Sequence, residues 1–153
     1  MKVRIIQFAA TILTALALVP GGAHVLELPN KIDLAQAQYV AVQQIYRGWA
    51  LLGIVLIAAL LANLGSAIVA RSQRMPMLFA AAAAVLLGAT LAIFFIWTFT
   101  VNQVTDNWTV APDNWEVLRA RWEYSHATNA ALTFLALCSA AASGSTWRGS
   151  QAQ

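Results

Sequence analysis

Two histidines and two glutamates stand in mirrored order: His24-x-x-Glu27 near the start of the chain and Glu123-x-x-His126 near its end. No other histidine occurs. Residues three apart on a helix share a face, so each pair can aim two donor groups at one point. If the two helices run antiparallel, the mirrored order matches His24 in depth with His126, and Glu27 with Glu123. That pattern suits a two-His, two-carboxylate metal site between facing helices. Imidazole and carboxylate together would take Fe, Cu or Zn without selecting among them, and a carboxylate in apolar surroundings needs pairing or coordination. A haem with His24 and His126 as axial ligands is the rival cofactor. A third option needs no cofactor: His126 acts as a base poised by Glu123.

Around the second pair, Trp115, Arg119, Trp122 and His126 recur at helical spacing. Trp115 and Trp122 are seven apart and so lie close to one face, where they would wall a pocket. Arg119, and Arg47 from elsewhere in the chain, are candidates to bind an anionic oxygen. The plainer reading is an interfacial helix start with aromatic anchors, in which Arg119 pairs with Glu116 or Glu123.

The elements that must position these residues follow from composition. The chain has 153 residues, 60% of them hydrophobic and only 10% charged. Uncharged stretches cover residues 5–25, 48–70, 75–101 and 124–146. A helix needs about 20 predominantly apolar residues to cross the hydrocarbon core. Four spans are therefore expected, near residues 5–27, 47–70, 76–100 and 115–145. The runs are continuously apolar and lack the alternation of an outer-membrane barrel. The predicted fold is an all-α integral membrane four-helix bundle of up-down topology, one domain over residues 1–153. Residues 31–46 read as a short amphipathic interfacial helix between the first two spans, with Tyr46 and Trp49 at headgroup level.

Charge fixes the expected orientation. Lys2, Arg4, Arg71, Arg74 and Arg148 occupy three segments that contain no acid, while all six acids fall at the other end. Basic loops mark the cytoplasmic side, which places both termini there and the paired motifs on the outer face of a bacterial inner membrane. The net charge of +3 thus reflects topology and gives no support for nucleic-acid binding. Lys2, Arg4 and the small residues 21–23 also fit a secretory signal, but the apolar stretch is long for one, and cleavage would remove the partner of the last span. Cys138 is the sole cysteine, which excludes an internal disulfide and thiol-pair redox chemistry; it reads as a packing residue.

Local signals add detail. Pro20-Gly21-Gly22 is expected to kink the first span and to let other backbone approach. Pro29 is expected to end that helix. The run 94–99 reads as an aromatic belt, and Asp113-x-x-Glu116 as the cap of the last helix.

Val101-Asn102, Trp108, Pro112, Trp115 and Arg119-x-x-Trp122-Glu123-x-x-His126 resemble the anthrone-oxygenase-like family of small four-span membrane proteins. The segment 24–31 with Gln43-Gln-Ile-Tyr-Arg-Gly-Trp49 is similar to a bacterial branch of that family. The resemblance covers essentially the whole chain and is most specific in the last helix. It implies four helices and, for a few members, oxidation of an anthrone to a quinone by dioxygen; His24-x-x-Glu27 is not part of what it carries over. The expected partners are membrane lipid and an apolar small-molecule substrate. The alternative is a non-catalytic accessory subunit of a larger membrane complex, with the polar cluster as an interhelical lock.

Overall fold

Leucine- and alanine-rich runs without water around them have one way to satisfy their backbone, and the computed structural model, which describes residues 2–148, is helical throughout with no strand among those residues. The order is α1 (Lys2–Lys31), α2 (Gln36–Gln43), α3 (Gly53–Val69), α4 (Arg74–Ile93), α5 (Phe99–Val104) and α6 (Trp115–Thr146). Short 3-10 turns, Gln44–Tyr46 and Trp49–Leu52, join α2 to α3. A five-residue π-turn, Phe94–Thr98, joins α4 to α5 within one long rod. Four helices are long and apolar enough to cross a membrane: Val3–Lys31, Trp49–Val69, Arg74–Val104 and Trp115–Thr146. The protein is a multi-pass membrane protein, an all-α four-helix bundle.

The helices close a ring: α1 packs on α3 and α6, and α4 packs on the same two. The first and last spans are thus neighbours. Their inward faces recur at steps of three, four or seven residues: Gln7, Ala10, Thr14, Gly21, His24 and Lys31 on α1, and Trp122, Asn129, Thr133, Ala136, Ala140 and Ser143 on α6. A repeat averaging 3.5 residues keeps one stripe facing its partner along a whole span. The stripe is small and polar, whereas Ile5, Phe8, Ile12, Leu16 and Val19 face outward to lipid. Small residues permit close backbone approach where no hydrophobic force separates protein from lipid. At Gly21 an added Cβ would lie 3.3 Å from the Cα of Ala130.

The register between α1 and α6 is constant. Gln7 bonds Ser143, Gly21 meets Ala130 and His24 stacks on His126, so facing positions sum to 150 or 151. The depth match expected from the mirrored motifs is present.

Three expectations about local structure are corrected. Pro29 does not end α1; like Pro20 it lies inside the helix, which runs on to Lys31. A proline in the last turn removes only one interior hydrogen bond, and Ile32 N–H closes the end on the carbonyl of Leu28 at 3.0 Å. The last helix is not capped by Asp113: its N-cap is Asn114, without a side-chain cap bond, and Trp115 N–H bonds the Pro112 carbonyl. Cys138 lies exposed on the bundle's outer surface and packs no core.

Beyond α5 the chain turns through three successive left-handed residues, Asp106, Asn107 and Trp108, with φ of 44°, 53° and 63°. Asp and Asn tolerate this conformation, whereas for Trp it costs of order 1–3 kcal/mol. The indole of Trp108 offsets the strain by burial, edge-on to Tyr39 at 4.8 Å.

Candidate functional site

Because α1 continues past Pro29, Lys31 falls four residues after Glu27 and seven after His24, on the same face. Its side chain is 3% exposed. The ammonium lies 3.1 Å from Glu123 Oε1, donates to the Tyr46 hydroxyl at 2.9 Å, and reaches His24 Nδ1 at 3.4 Å and Glu27 Oε2 at 3.5 Å. An ammonium has no acceptor, so His24 Nδ1 accepts and the proton of a neutral ring sits on Nε2. Tyr46 also donates to Glu27. Lysine was not among the residues singled out from sequence, and it stands at the centre of the cluster.

The four residues of the mirrored motifs do converge on one end of the bundle. The imidazoles of His24 and His126 lie 4.2 Å apart between ring centroids, inclined by 34°. Glu123 is fully buried; its Oε1 accepts from Tyr39 at 2.8 Å and from Gln43 at 3.4 Å. Its Oε2 has no hydrogen-bond partner, and neither has His126 Nε2, though both atoms are buried. Tyr39, on the short helix outside the spans, holds its proton far above the usual phenol range, because burial and then the Glu123 carboxylate disfavour its anion.

This geometry gives no support to the metal and haem readings. Among the described residues no three His, Cys, Asp or Glu side chains converge to hold an ion. A positive ammonium fills the space between His24, Glu27 and Glu123, and its charge opposes a metal cation there. A haem needs its axial imidazoles on opposite sides of a macrocycle, whereas these two rings pack against each other with centroids 4.2 Å apart.

Aromatic rings enclose the cluster. Trp122 lies 4.2 Å from His126 and 4.9 Å from His24, Tyr46 lies 4.4 Å and Trp49 5.8 Å from His24. Trp122 Nε1 donates to Asn102 Oδ1 at 2.7 Å, which fixes its tilt. Tyr39, Tyr46 and Trp49 therefore face the site, and α2 serves as a cover over it. Trp115 stands one layer farther out, 6.1 Å from Tyr39.

The two arginines are placed elsewhere. Arg119 pairs with neither glutamate; it donates to the Leu34 carbonyl at 2.7 Å and lies over the rings of Trp115 and Tyr39. Arg47 is exposed and donates to Gln44 Oε1 at 2.9 Å, away from the cluster. Neither is positioned to bind an anion beside His126. No family model, curated protein or solved structure matches this chain.

Proposed function

We propose that the cluster is an acid–base site that promotes oxidation by dioxygen of an apolar aromatic compound of the anthrone type, reaching it from lipid. One observation carries the reading: the unpartnered His126 Nε2 lies in the same buried, aromatic-walled cluster as the Lys31 ammonium. A base and a cation in one dry site can create and stabilise a substrate anion. His126 would remove a proton from the carbon between two aryl rings. The electron pair delocalises onto the carbonyl oxygen, where Lys31 replaces lost hydration. The electron-rich anion then reduces dioxygen. One oxygen atom stays on the carbon as the new carbonyl, and the other leaves as water with the two hydrogens that carbon carried. Glu123 and Tyr39 would set the position of Lys31, and Glu27 with Tyr46 would pass protons to the surface. Trp122, Trp49 and Tyr46 would face the rings of the substrate. The resemblance of the last helix to anthrone-oxygenase-like proteins supports the same reaction class.

The charge distribution supports a bacterial inner-membrane location, with both termini cytoplasmic and the site on the outer face. A second reading has its own observation. The imidazoles already stack on each other, and Lys31 already holds α1 to α6, so the cluster would also serve as a lock in a small accessory subunit.

Oxygen uptake and quinone absorbance, measured on detergent-purified, chelator-treated protein with anthrone as probe, distinguish the two. The oxidase reading expects a rate above spontaneous autoxidation that survives chelation and falls about 10²–10⁴-fold in His126→Ala. A rate no greater than autoxidation overturns it, and stoichiometric co-purification with another membrane protein would then support the subunit.

A further inference from the structure

The inward stripe of α6 carries more polarity than helix packing requires. Below His126 it presents Asn129 and Thr133, and at its far end Ser143. Facing them are Thr14 and Gln7 from α1 and Asn63 from α3, all buried. Asn63 donates to Thr14 Oγ1 at 3.0 Å and Gln7 donates to Ser143 Oγ at 3.2 Å. The donors of these two amides are thus used within the protein, while the oxygens are not. Asn129 Oδ1, Asn63 Oδ1 and Gln7 Oε1 are buried and have no hydrogen-bond partner. Three bare carbonyl oxygens in a membrane bundle each call for a donor.

The constant register ranks them in depth. With facing positions on α1 and α6 summing to about 150, Thr14 and its partner Asn63 lie at the level of Ala136. The unsatisfied atoms then follow one another at the levels of residues 126, 129, 136 and 143, over a length of about 25 Å. Thr133 lies in the longest upper interval. At the bottom, Ser143 Oγ donates to the Pro76 carbonyl at 2.9 Å. Pro76 also lines an open cleft of about 940 Å³ between residues 72–76 and 145–148. At the top, Glu123 connects through Lys31 and Tyr46 to Glu27, whose side chain is 37% exposed.

We propose that this seam is hydrated and conducts protons across the bundle, from Glu27 through the Lys31–Glu123–His126 cluster to the cleft at the opposite end. Water molecules donating to the three amide oxygens complete the file. Protons pass along it by hopping between waters and His126 Nε2, with no net chemistry. The proposal does not rest on the oxidation reaction and stands or falls separately from it.

Proteoliposomes containing the full chain and an internal pH dye, driven by a potassium diffusion potential, test it. Wild-type protein should acidify the lumen faster than empty vesicles of the same lipid. Asn63→Leu and Asn129→Leu, which replace each amide by an apolar group of similar size, should each slow this about tenfold. Should either fail to fold, Thr133→Val removes only a hydroxyl at the same seam and should slow it in the same direction. Phe134→Leu, exposed on the outer surface of α6, should leave the rate unchanged. A wild-type rate equal to that of empty vesicles, or seam variants conducting like wild type, would overturn the proposal.

Discussion

Lys31 changes what the surrounding residues can do. Glu123 is fully buried, and an ion pair at 3.1 Å with a tyrosine hydroxyl on the same oxygen is what keeps it there. Removing one partner of such a pair leaves an uncompensated charge and costs about 3–5 kcal/mol. Lys31→Met should therefore lower the thermal unfolding midpoint in detergent sharply, and adding Glu123→Gln should restore most of the loss. Arg119→Ala removes a charged hydrogen bond to a carbonyl and should cost less, about 1.5–3 kcal/mol. Arg121→Ala removes a hydrogen bond to the Ile96 carbonyl from an exposed guanidinium and should cost less still, because solvent replaces it. A Lys31→Met midpoint no lower than that of Arg121→Ala would show that the ammonium is not the keystone of the cluster.

At the scale of elements, the line where α1 meets α6 is set by glycine. Gly21 lies against the backbone of Ala130, while its neighbour Gly22 has open space around it. Alanine in a helix interior is favoured over glycine by roughly 0.5–1 kcal/mol. Gly22→Ala should realise that gain, and Gly21→Ala should lose it by pushing the two helices apart. Thermal midpoints in the same detergent decide the matter, and equal midpoints would refute the close approach. The sequence made parts of this seam legible. The glycines, the mirrored motifs and the antiparallel match of His24 with His126 were readable because i,i+3 spacing and helix polarity fix them. Lys31 was not, since Pro29 reads as a helix stop, whereas a proline in the last turn removes only one hydrogen bond and lets the helix run on. Nor was the role of Tyr39, Tyr46 and Trp49. Aromatic residues near a span end suit headgroups and a buried site equally well, and only the path of α2 decides between them. Arg119 was misread because a glutamate four residues away is a good partner on an isolated helix, whereas Leu34 offers a bare carbonyl from a segment whose position local spacing does not encode.

For the whole molecule, hydropathy was enough to give four spans, because each outward face is large and apolar. It was silent on the interior, where the repeat is carried by Gln7, Thr14, Gly21 and His24 and so registers as interruption of an apolar run. Orientation is the remaining property of the whole chain that charge predicts. Cysteines introduced at Ser72 and Gln103, both exposed, in a Cys138→Ser background should divide by side. A membrane-impermeant maleimide applied to intact spheroplasts should label position 103 and spare position 72. The opposite pattern would invert the topology and move the cluster to the cytoplasmic face.

The π-turn at Phe94–Thr98 has a consequence for how the chain tolerates length changes. Such a turn holds one residue more than the α-helix it interrupts. Deleting a single residue there would let the rod close as a continuous α-helix, so the membrane span itself would survive. Everything downstream would keep its facing, since the π-turn winds the chain about as far as an α-helix does with one residue fewer; the same deletion in the α-helical part of the rod would turn it by roughly 100°. That second deletion would take Thr98 from Ser125, which it now meets at 2.7 Å, and swing Asn102 away from the indole nitrogen of Trp122. The aromatic wall beside His126 is thus clocked by the length of a lipid-facing rod, and the surplus residue of the π-turn marks a place where that length can change without reaching the cluster.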